Sequence, residues 1–195
     1  MPVVSFCMLV NNMAMYVLAS QLKNLPVMSI QTGQAIAHIE QPIINMANLE
    51  AMALNCNLGR SKPKEGVILL RDVRQFSGDC IIVDSFDDIE DSSEIVRLKD
   101  VVKAGFNPIG KHVVNESGDK LGKVEDYTIN LKTFMIQKLY VHQSLVKSLL
   151  YNSLVIDRTQ VIDITPKAIT VKDARVKKGI LERKAIPAKG SFPQA

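Results

Sequence analysis

The side chains able to do chemistry are few and scattered. His38, His112 and His142 stand far from one another, with no cysteine close to any of them. A zinc site needs tighter, recurring spacing. Glu40 follows His38 by two residues, so on a strand the two could share a face as a surface ion pair, but that supplies at most two ligands. Glu125 and Asp126 are adjacent, and strand alternation sends neighbours to opposite faces, which is unsuited to joint acid–base work. Cys7, Cys56 and Cys80 are odd in number and form no CxxC pair, so no disulfide framework is indicated and a reducing, cytoplasmic setting is expected. Gly118-Asp119-Lys120-Leu121-Gly122 has the glycines of a phosphate cradle but runs into a strand, with no helix N-terminus to meet an anion. The acidic run over 84–94 lacks the alternating ligands and central glycine of a calcium loop. No GxSxG, Walker, GxGxxG or HExxH motif occurs. The expectation is a protein that is not an enzyme and has no catalytic residue, cofactor or metal.

The elements that would position these residues are strands. Val113 and Val114 close an apolar run, Asn115-Glu116-Ser117-Gly118-Asp119 carries turn chemistry, and Leu121, Val124 and Ile129 resume the apolar series. Gly122 leaves room for another strand to come close. The same phrase stands earlier: Ile36, Ile39, Ile44 and Asn45 lie at the distances from Gly33 that Leu121, Val124, Ile129 and Asn130 keep from Gly118. Ala37 replaces Gly122, and Gln41 replaces Asp126. Downstream, Ile68-Leu69-Leu70-Arg71-Asp72-Val73 echoes Ile156-Asp157-Arg158-Thr159-Gln160-Val161, and Cys80-Ile81-Ile82-Val83 echoes Ala168-Ile169-Thr170-Val171. Four echoes in one order imply a unit copied twice.

The chain of 195 residues then divides into an apolar extension (1–15), a first repeat (16–90), a linker helix (91–105), a second repeat (106–173) and a basic tail (174–195). The extension is interrupted by Asn11-Asn12 and has no basic residue before it, so an extra strand, or a start assigned too early with Met13 and Met15 directly before the first repeat, is expected in preference to a membrane anchor. For the linker, Asp91 and Glu94 predict a capping box, Ile95, Leu98, Val101 and Val102 share one helical face, and Gly105 ends the helix. The net charge of +4 is concentrated at the end: from Lys172 onward seven basic residues face only Asp173 and Glu182. The tail, with Lys177, Lys178, Arg183 and Lys184, could therefore contact nucleic acid or another polyanion. Leu145, Leu149 and Leu150, following Ser144, could form a partner surface or cover the end of a barrel.

Gly110-Lys111-His112-Val113-Val114, Glu116-Ser117-Gly118 and Leu121-Gly122-Lys123-Val124-Glu125-Asp126-Tyr127 resemble the opening of a PRC-barrel domain. Residues 154–161 and 169–171 resemble its closing strands. Leu18-Ala19-Ser20-Gln21-Leu22, Leu25-Pro26-Val27 and Gly33 resemble the start of a first, weaker copy, so the resemblance spans most of 16–173. It implies a mainly β protein of two small antiparallel barrels in tandem, joined by a short helix. The family's barrel serves as a docking module in the cytoplasmic domain of the photosynthetic reaction-centre H subunit. It also forms the C-terminal domain of a bacterial ribosome maturation factor that binds a small-subunit protein. Neither use is catalytic. The resulting expectation is an adaptor that binds a protein partner, in ribosome maturation or RNA processing, with an H-subunit-like membrane accessory as the alternative; homo-oligomers are left open.

Overall fold

The computed structural model of the chain describes residues 16–59, 65–143 and 153–172. It begins with a short strand, β1 (Tyr16–Leu18), and one helical turn, α1 (Ala19–Leu22). The first repeat then supplies β2 (Pro26–Ser29), β3 (Ala35–Asn45), β4 (Glu50–Asn57), β5 (Glu65–Leu69), β6 (Gln75–Phe76) and β7 (Ile81–Val83). After the helix α2 (Val96–Ala104), the second supplies β8 (His112–Asn115), β9 (Lys120–Asn130), β10 (Ile136–His142), β11 (Ser153–Asp157), β12 (Val161–Ile164) and β13 (Ala168–Val171).

Each repeat makes its own sheet, and the two have the same strand order: β5-β4-β3-β2-β7-β6 and β11-β10-β9-β8-β13-β12. The match extends to register. Ile39 faces Cys56 as Val124 faces Val141, and Ala53 faces Leu69 as Lys138 faces Asp157. Irregularities match as well. Ile36, Glu40 and Met52 are passed over by the pairing in the first sheet, and Leu121, Glu125 and Gln137 at the equivalent places in the second. Bulges of this kind bend a sheet sharply. Glycine sits at the same hairpin turn in both, Gly33 with φ 65° and Gly118 with φ 84°.

Two features depart from the barrels expected. Neither sheet closes through its hydrogen-bonded path, and the strands are not all antiparallel: β7 runs parallel to β2, and β13 to β8. The reason is connectivity. A parallel pair needs a long crossover, and here the hairpin and the return strands between β2 and β7 provide it.

The repeats meet around a local two-fold relation. Leu49 (φ 58°) and Phe134 (φ 56°), at equivalent turns, both adopt the left-handed conformation that a side chain disfavours. Their carbonyls accept hydrogen bonds from the other repeat: Ala51 N–H donates to Phe134 (2.8 Å) and Ile136 N–H to Leu49 (2.9 Å), flanking a bridge between Glu50 and Met135. Each group meets the counterpart of its own partner, as in an isologous dimer. The lead-in segments also cross over. β1 pairs antiparallel with β9 of the second repeat, and Ser20 donates its N–H and hydroxyl to the Asp126 carboxylate. Reciprocally, α2 buries Leu98 against Ala53, Val67 and Leu69 of the first repeat, and Asn107 donates to Gln41. One continuous apolar core runs through both sheets, from Leu22, Ile39 and Ile81 to Val113, Leu139 and Ile169.

The linker helix starts later than its expected capping box. Glu90 is bonded in extended form to Val67, Asp91 then accepts from Ser93 N–H in a tight turn, and the helix begins only at Val96 with no side-chain cap. A capping box does form earlier in the chain, where Ser85 and Asp88 close a short 3-10 helix. Gly105 ends α2 in the left-handed conformation (φ 56°), as expected of a helix C-terminus.

Candidate interaction surface

The titratable residues are built into the scaffold. Glu40 accepts from the amides of Asn55 and Asn57, not from His38. Its equivalent Glu125 is likewise a bulge residue, while Asp126 is occupied by Ser20 and by its neighbour's N–H. Burial, aided by the charge of Glu40, pushes the Cys56 thiol up to about 11, so it is no nucleophile near neutral pH. Burial and the Asp126 charge also hold the Tyr127 phenol above its ordinary value. Register brings His112 and His142 into one row across β8, β9 and β10, which their spacing along the chain did not foretell. Lys123 stands between them, and the pair supplies only two ligands, fewer than the three or four protein ligands of a zinc site. Among the described residues no three His, Cys, Asp or Glu side chains gather closely enough to hold a metal ion.

What remains is surface shape. A cleft of about 420 Å³ lies where the repeats meet, lined by Met46, Asn48, Arg158, Thr159, Ile162 and Asp163 among others. Asp157 accepts from the N–H and hydroxyl of Thr159, which holds its carboxyl below the usual range, and Arg158 donates to the Asn48 carbonyl (3.0 Å). On sequence alone Asp157-Arg158 reads as a solvated turn. Its junction role could have been suspected from the repeat, because Arg158 stands where the first copy has the buried Leu70. Opposite in chemistry, the first copy carries an exposed ion pair, Arg74 with Asp84 (2.5 Å), whose guanidinium holds the Asp84 carboxyl below its usual value. The partner residues suggested by composition, Leu145, Leu149, Leu150, Lys177, Lys178, Arg183 and Lys184, lie outside the described residues. So does the apolar stretch 1–15, and among the described residues no helix is long and apolar enough to cross a membrane.

A search of curated proteins finds no match to the chain. Residues 100–186 match the family described as the PRC-barrel domain. The second of the two equivalent sheets, β8 to β13, falls within that stretch, and the chain therefore contains a PRC-barrel domain there.

Proposed function

We propose that the chain is a tandem PRC-barrel adaptor, two copies of one module fused face to face, which binds another protein and performs no reaction. The observation that carries this is the shared strand order together with three bulges at equivalent positions, of which only the second set lies in the matched stretch. A bulge is a backbone irregularity with no reason to recur at matched sites in unrelated sheets. Interaction is favoured over catalysis because the polar residues described above are spent on holding the scaffold together. The most economical setting is cytoplasmic, in ribosome assembly or RNA metabolism, with the basic tail adding a salt-sensitive contact to nucleic acid or to an acidic partner.

The test is affinity capture with the full chain and with a form lacking 174–195, each at low and high salt, followed by gradient sedimentation with ribosomal subunits. Recovery of a defined protein partner supports the adaptor reading, and partner loss on tail removal or at high salt assigns the contact to the tail. Failure to retain any protein under all four conditions refutes it. The apolar pattern of residues 3–10, ahead of β1, favours the second reading, a membrane-associated accessory protein. Fractionation separates the two: an adaptor of the first kind stays in the soluble fraction with residues 1–15 intact.

A further inference from the structure

The two repeats differ at one seam. In the first, the segment after β7 crosses to the outer edge of β5, where Val67 and Glu90 exchange two backbone hydrogen bonds of 2.9 Å each. Four features hold it there. Arg74 pairs with Asp84 at its start, Ser85 and Asp88 cap its first turn, Ile89 packs beside the core, and Gly66 makes room for Ile89. A Cβ at position 66 would run into the Ile89 side chain.

In the second repeat every one of these anchors is altered. Ile162 stands for Arg74, Lys172 for Asp84 and Val176 for Asp88. Lys177 stands for Ile89, and the buried Leu154 fills the space that Gly66 leaves. Among the described residues the outer edge of β11 is bonded only at its end, where Asp157 N–H donates to the Gln160 side chain (3.0 Å). Val155, equivalent to Val67, is 41% exposed, and Ile162 is 47% exposed. An unpaired strand edge beside exposed aliphatics is a template for another strand.

We propose that the outer edge of β11, residues 153–157, is a docking edge that takes an extended, acidic segment of a partner protein as an added antiparallel strand. The extended form follows from the occupant of the equivalent edge. The acidic character follows from Lys172, which puts a positive charge where the first repeat has Asp84, and from the loss of the acidic cover that the first repeat carries over 84–91. The basic residues that follow β13 in this chain offer the opposite charge, so the chain's own continuation is the poorer occupant. The proposal deepens the adaptor reading and rests on it, in that it names the surface such an adaptor would use.

The probe is a synthetic peptide of residues 86–94, with Ala in place of Ile89 because Leu154 leaves no room for a larger side chain. It is titrated into the isotope-labelled full chain. The expected result is binding that perturbs the amides of 153–157. Val155→Pro should weaken it at least tenfold, because the N–H removed faces outward, away from β10, as the equivalent Val67 N–H faces Glu90. An N-methyl group on the peptide's Glu90 nitrogen should cause a similar loss with unaltered protein, which guards against misfolding of the proline variant. Lys172→Glu should weaken binding several-fold. Absence of binding at millimolar peptide, or binding unchanged by either block, overturns the proposal. So does slow exchange of the Val155 amide in the peptide-free chain, which would mean the edge is already filled: by the chain's own tail if independent of concentration, by a second copy if not. A captured partner whose binding ignores Val155→Pro would leave the adaptor reading standing and remove the edge.

Discussion

At the scale of single residues, the two copies act as each other's controls. Gly122 has φ 156°, and a Cβ there would collide with the backbone carbonyl of His142, whereas the first copy holds Ala37 in the same ladder. Gly122→Ala should therefore cost roughly 2–4 kcal/mol, read as a lower denaturant midpoint with an unchanged slope, while Ala37→Gly should cost far less. Thr128 offers the reverse case. Its hydroxyl is buried with no hydrogen-bond partner among the described residues, and the equivalent residue is Ile43. Thr128→Val should be neutral or stabilising by about 1 kcal/mol in the same assay, since it removes an unsatisfied polar atom at constant shape. A clear loss of stability would mean that the hydroxyl has a partner after all. The glycine turns were legible in the sequence because positive φ has a residue signature. Leu49 and Phe134 have the same backbone conformation with no such signature, and contact between repeats is what sustains it.

At the scale of elements, the strands and their repetition could be read from apolar spacing, but their pairing, including the parallel β2–β7 and β8–β13 pairs, could not. β1 is three residues long and joins the far repeat, a choice fixed by tertiary packing and invisible to local pattern. The start of α2 was misplaced because its capping motif competes with the Glu90 bridge, which keeps the preceding backbone extended. Helix α2 is more than a spacer. Leu98, fully buried, closes a small apolar cluster with Ala53, Val67 and Leu69. Leu98→Ala should cost about 2–4 kcal/mol and speed exchange of the Val67 and Glu90 amides, because Leu98 packs against Val67 and Val67 pairs with Glu90. Val102→Ala on the exposed side of the same helix should change little.

At the scale of the whole molecule, the continuous core makes one cooperative unit out of two sheets. Calorimetry of the full chain should give a single transition whose calorimetric and van't Hoff enthalpies agree; two resolved transitions would show that the repeats hold independent cores. Each repeat also keeps part of itself on its neighbour, β1 on one side and α2 on the other. A protease that cut once in the exposed stretch between Asp91 and Val96 would sever the polypeptide without parting it. Leu98 and Asn107 would stay seated on the N-terminal fragment, and Tyr16 to Ser20 on the C-terminal one. The nicked protein should elute from a sizing column as one species, a clasp that outlasts its own thread.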